Sequence, residues 1–204
     1  VRIFSSVLCV FLCTQCAPTY KAQLAAPSAC PKPSEYEDIL QTWTRSARIY
    51  HFLDNRLFIT ATFHASHFKH AFASAFPHLY GHGGVLTRKE LANTHTSTAL
   101  SFLIVTYTPY EKWNDFNEPD SIWNMELHTS EGVVLHPTDI VPVKIDENIR
   151  AVYPYIKRFE RAYLVHFPVK TSSNNPVLTS ETTCFSLQVA SALGKALLEW
   201  HLTP

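Results

Sequence analysis

Apolar positions are unevenly distributed along this chain. Residues 3 to 13 form one mostly apolar run close behind a lone Arg2, and from Ala17 to Pro33 the pattern dissolves into Ala, Pro and scattered polar residues. Periodic patterns begin after that. Ser34 and Glu37 make a Ser-x-x-Glu capping box, in which each side chain satisfies a backbone donor of the first helical turn. Tyr36, Ile39, Leu40 and Trp43 follow at helical spacing, so "SEYEDILQTWTRSA" predicts a helix with one apolar stripe.

The period then changes to two. In "RLFITATFH", Leu57, Ile59, Ala61 and Phe63 fall on one side and Thr60, Thr62 and His64 on the other, which predicts a half-buried strand. "SHFKHAFASAF" returns to helical spacing through Phe68, Phe72, Ala75 and Phe76, and Pro77 stops it for want of a backbone donor. "GHGGVL" reads as a loop, and Thr87 with Glu90 offers a second capping box. "TALSFLIVTYT" is apolar on both faces, as a central strand would be. Trp123, Met125 and Leu127 align on the next strand, and a turn at Glu131-Gly132 leads into "VVLHPTDIVPVKI". Pro137 and Pro142 there predict edge positions or interruptions. Tyr163, Val165 and Phe167 mark a further strand. The closing "CFSLQVASALGKALLEWHL" predicts a hairpin, with Phe185, Leu187 and Val189 answered across Gly194 by Ala196, Leu198, Trp200 and Leu202.

Seven or so short strands with turn signals between them predict a mainly β domain over residues 34–204. The expected architecture is an immunoglobulin-like β-sandwich with two or three short added helices. An open α+β sheet with helices on one face is the alternative. Composition supports a β domain over a helical bundle, with 13% aromatic residues, thirteen prolines and only 17% charged residues. Seventeen basic and seventeen acidic residues give no net charge, so nothing favours nucleic acid as a partner.

The first apolar run is too short for the roughly 20 residues of a membrane-spanning helix but fits the roughly 7–15 of an export signal. Residues 1–16 are therefore expected to be a signal peptide and 17–33 a Pro-rich tether. Leu12-Cys13-Thr14-Gln15-Cys16 resembles the end of a bacterial lipoprotein signal, whose cysteine becomes the lipidated first residue of the mature chain. Cys13 stands where that family prefers Leu, and Gln15 where it prefers Gly, Ala or Ser. Cys16 is the candidate lipid attachment residue, with Cys13 and Cys9 as weaker alternatives. A tether over residues 17–33 would reach up to ~56 Å at ~3.3 Å per residue. Pairing of the remaining Cys30 and Cys184 is open in an oxidising compartment.

Three further stretches, "LDNRLFITATF", "KWNDFNEPDSIW" and "SALGKALLEW", are similar to those of uncharacterised bacterial lipoproteins with a short linker and one β-rich domain. The resemblance implies a cell-envelope protein anchored by lipid, at the outer membrane and facing the periplasm. It carries no activity across.

Two constellations could carry chemistry. His67 and His70, three apart on a predicted helix, could share a divalent metal with His64; the alternative is the polar side of an amphipathic helix. In the loop "EKWNDFNEPDSIW", Trp113, Asp115, Phe116, Asp120 and Trp123 could form a face for a protein or glycan partner, or supply paired carboxylates for glycoside chemistry. The plainer account is that Asn114, Asp115 and Asp120 make turns while Trp123 fills the core. No nucleophile elbow or phosphate-binding loop is present in the sequence, and no cofactor is expected. The expected function is a membrane-anchored structural or protein-interaction module. The alternative is a metal-dependent or carbohydrate-active envelope enzyme.

Overall fold

The computed structural model describes residues 36–72 and 99–202. Helix α1 (Tyr36–Trp43) buries the predicted stripe of Tyr36, Ile39, Leu40 and Trp43. It ends sooner than the pattern predicts, because Thr44 opens a strand, β1 (Thr44–His51), in which Ile49 alone is fully buried. One buried residue in eight leaves almost no alternation to read. Among the expectations, Ser34 of the first capping box, the stop at Pro77, the "GHGGVL" loop, the Thr87–Glu90 box and Cys9, Cys13, Cys16 and Cys30 lie outside the described residues.

β1 forms a hairpin with β2 (Asp54–Phe63), and β2 pairs on its other side with β3 (Ala99–Tyr107). Between them, residues 66–72 are helical (α2). β6 (Asp139–Val143) and β7 (Arg161–Pro168), joined through helix α3 (Glu147–Val152), complete a five-stranded sheet in the order β1-β2-β3-β7-β6. The predicted central strand, β3, is its middle strand, and Pro142 sits on an edge strand as expected. A second, four-stranded sheet runs β5-β4-β8-β9, built from β4 (Asn124–Thr129), β5 (Val134–Leu135), β8 (Cys184–Ser191) and β9 (Gly194–His201). Every pairing between these strands is antiparallel. The result is a mainly β, two-sheet sandwich with short added helices.

The core between the sheets is aromatic. Phe185 and Trp200 stack at 5.2 Å across the last hairpin, and Phe63 and Phe102 of the other sheet meet them at 5.0 and 5.5 Å respectively. All of the residues predicted to face inward on that hairpin are buried. Trp200 also donates its indole N–H to the Trp43 carbonyl at 2.9 Å, and the Arg45 guanidinium donates to the Glu199 carbonyl at 2.8 Å. These bonds hold the end of α1 and the start of β1 against β9 where the two sheets meet. At the hairpin turn, Gly194 has φ +136°, and a Cβ there would lie 2.5 Å from Cγ2 of Ile49, so only glycine fits.

The other face of the five-stranded sheet carries the helices. Tyr36 of α1 packs its ring 6.2 Å from Phe68 of α2 and donates its hydroxyl to the Val152 carbonyl of α3. The Asp146 carboxylate caps α3 by accepting from the Ile149 amide at 2.8 Å. Beneath this layer, Thr62 and His64 are buried, although period-two alternation places them on the polar side of β2. Thr62 bonds Thr44 and the Tyr155 hydroxyl, both at 2.7 Å, which satisfies its polar group inside the fold.

Candidate functional site

The Trp-Asp loop is partly consumed by the fold. Phe116 and Trp123 are buried and stack at 5.5 Å with their planes 4° apart, and Phe116 also meets the Tyr163 ring. Trp123 donates its indole N–H to the Trp113 carbonyl at 2.6 Å. Asn114 is the hinge of the arrangement. Its side chain accepts from the Thr106 hydroxyl at 2.6 Å and donates to the Thr106 carbonyl at 3.2 Å, while its own carbonyl accepts from Tyr163 and Arg161. Burial raises the pKa of the Tyr163 phenol, so it stays protonated and donates. Asp115 accepts from the Ser121 hydroxyl at 3.0 Å and turns the loop, whereas Asp120 is exposed. The loop therefore plugs one end of the inter-sheet core. Of the five residues proposed as a docking face, Phe116 and Trp123 face inward and cannot contact a partner.

The three candidate histidines separate in the same way. His64 lies beneath the helices, its ring 5.2 Å from Phe68 and its Nε2 3.0 Å from the Tyr153 hydroxyl. That differs from the expected solvent-facing position. His67 is half-buried and its pKa is lowered by burial and by neighbouring His70, which is exposed. Among the described residues no group of three or more His, Cys, Asp or Glu side chains is placed to hold a metal.

What the sequence did not single out is a row of aromatic side chains at the β1–β2 hairpin end of the five-stranded sheet. Phe58 stacks on its cross-strand neighbour Tyr107 at 5.9 Å and meets Tyr50 edge-on at 6.1 Å. The Arg48 guanidinium lies over the Phe58 ring at 5.1 Å, in the range of a cation–π contact. At the same end, Trp113 is capped by Tyr110 at 4.5 Å and by Arg56 at 5.9 Å. Tyr50 and Tyr110 are each more than half exposed. Cross-strand aromatic neighbours at period two hold the row rigid.

The hairpin itself ends on a two-residue turn, Phe52-Leu53, between the paired residues His51 and Asp54. Phe52 is 91% and Leu53 97% exposed, and Phe52 has φ +53°. Such turns normally carry Asn, Asp or Gly, since a bulky residue in the left-handed region costs roughly 1–2 kcal/mol. The legible signal was "HFLDN": an apolar pair where a turn calls for polar residues.

On the outward face of the second sheet, a depression of about 90 Å³ lies among His128, Cys184, Ser186, Glu199 and His201. Cys184 makes no disulfide among the described residues. Nearby, Glu126 accepts from His128 at 2.9 Å, and hydrogen bonds from Asn124 and His128 hold its carboxyl below the usual range. A wider cleft of about 450 Å³ runs beside the loop, past Asn117, Glu118, Glu160 and Arg161.

The fold and surface define a class, a two-sheet antiparallel β-sandwich with a helical cover and an exposed aromatic row beside a strained apolar turn. Compared with known proteins, the chain gives no significant match to any protein family, curated protein or solved structure.

Proposed function

We propose that this protein is a lipid-anchored interaction module of the bacterial cell envelope, attached through Cys16 and presenting the aromatic row of its β1–β3 meander to an envelope protein. The observation that carries the reading is the row itself: Tyr50, Phe58, Tyr107 and Tyr110, flanked by Arg48 and Arg56, at the hairpin end of the five-stranded sheet. Aromatic and arginine side chains are the residue types enriched at binding hot spots, and aromatic rings bury much area with little loss of side-chain freedom. A glycan, stacking on the same rings, is the competing occupant.

Affinity capture from native membranes, with the anchor intact, tests the proposal. The expected result is a stoichiometric protein partner that is lost when Tyr50→Ser and Tyr110→Ser are combined. Both residues are exposed, so the double variant should retain the parent's thermal midpoint. Capture unchanged by the double variant would remove the row from the reading. Elution by soluble glycan alone would favour the glycan.

A further inference from the structure

We propose that the Phe52-Leu53 turn is a membrane-insertion tip that dips into the interfacial region of an anionic bilayer. It adjoins the aromatic row and shares Tyr50, Arg48 and Arg56 with it, so a protein held on the row would lie against the same bilayer. Two apolar side chains project at 91% and 97% exposure from the apex of a two-residue turn. An apex of two side chains offers far less than the roughly 800 Å² that each partner of a stable protein–protein complex contributes. A bilayer asks only for projecting apolar groups with amphipathic ones behind them.

The residues behind the apex have that character. Tyr50 and His51 precede it on β1, and Tyr is a residue type concentrated at membrane–water interfaces. Arg48 and Arg56 stand further back, each with its guanidinium against an aromatic ring. They are within two strand positions or so of the interfacial residues, where long basic side chains reach phosphate groups. Asp54 places a carboxylate at the neck, and Arg56 holds it at 3.6 Å. The left-handed backbone at Phe52 is maintained at a cost in stability, and strain of this kind marks functional turns.

Reach is compatible with this. The tip lies one strand from the point where α1 delivers the chain, about 26 Å for the eight residues of β1 at about 3.3 Å each. A tether over residues 17–33, with its ~56 Å limit, would let the tip face the membrane that holds Cys16. In this respect the inference rests on the anchored reading.

The test uses the full chain carrying Phe52→Trp, mixed with vesicles of phosphatidylcholine and phosphatidylglycerol, some brominated in the acyl chain. The emission of the added indole is the difference from the parent chain, whose four tryptophans provide the baseline. Quenching of that indole by the bromines at least threefold above baseline is expected, with protection from aqueous acrylamide. Adding Leu53→Asp should abolish both. Sedimentation with the vesicles is read in parallel and reports the anchor. A chain that sediments while its added indole stays unquenched and open to acrylamide overturns the tip and leaves the anchor standing. A chain that neither sediments nor shows quenching overturns both. Quenching confined to phosphatidylglycerol vesicles supports insertion and assigns a role to the arginines, whereas equal quenching without the anionic lipid supports insertion and removes that role.

Discussion

Asn114 carries more of the structure than its position in a loop suggests. Its amide pairs twice with Thr106 in a buried setting, so Asn114→Ala removes the acceptor of the Thr106 hydroxyl and one donor to the Thr106 carbonyl. Each buried unmade bond costs about 1–3 kcal/mol, and a total loss of roughly 2–3 kcal/mol is expected in denaturant titration, since the hydroxyl can partly reorient. A loss below ~1 kcal/mol would mean that the loop is not pinned through this side chain. His166 supplies a second residue-scale expectation. Burial holds its pKa below the usual histidine value, Lys69 acts in the same direction and Asp139 opposes them. The unfolded chain takes up its proton near pH ~6.5, and the folded chain only at lower pH. The unfolded state thus binds more protons as pH falls through that window, and stability declines with acid. His67 acts in the same sense. The thermal midpoint should drop between about pH 7.5 and pH 5.5, with a smaller drop in His166→Gln. An equal drop in both proteins would assign the effect elsewhere. Residue chemistry of this kind was scarcely legible in the sequence. Asn114 reads as a turn residue, and only its bonds to Thr106 on β3 and to Tyr163, distant in the chain, make it a core one.

At the scale of elements, legibility followed burial on one face. The last hairpin was readable because its inward residues alternate without exception and Gly194 marks the turn. β1 was not, since its single fully buried residue leaves no period to detect, and its opening threonine merges with the end of α1. Thr62 and His64 were assigned to the wrong environment for a related reason: alternation reports which face a residue takes, not whether helices cover that face. α3 had a usable signal in the Asp146 cap but only six residues of helix after it. The hairpin also gives the sharpest energetic test. Trp200 is fully buried, stacked on Phe185 and bonded to the Trp43 carbonyl. Trp200→Ala should therefore destabilise by about 3–5 kcal/mol, the range for emptying a large aromatic site. A loss under ~1 kcal/mol by denaturant titration would place the indole outside the cooperative core.

For the molecule as a whole, attachment and surface are separable expectations. Cys16→Ser should shift the protein from the membrane to the soluble fraction or stall its maturation, followed by fractionation and N-terminal sequencing. An unchanged membrane fraction with an intact N-terminus would refute lipid attachment at that cysteine. A further consequence concerns how such a domain would behave at high local concentration. A sheet edge with free backbone donors and acceptors is a template on which another chain can add a strand and seed aggregation. Among the described residues the two sheets have four edges, and two of them, β1 and β9, are turned toward each other and tied by the Arg45 and Trp200 bonds. The third is β5, only two residues long, and the fourth is β6, where Pro142 lacks a donor and Asp139 adds charge. Crowded molecules would thus find no long, regular edge to extend among the described strands, and close neighbours could be tolerated without these strands recruiting one another.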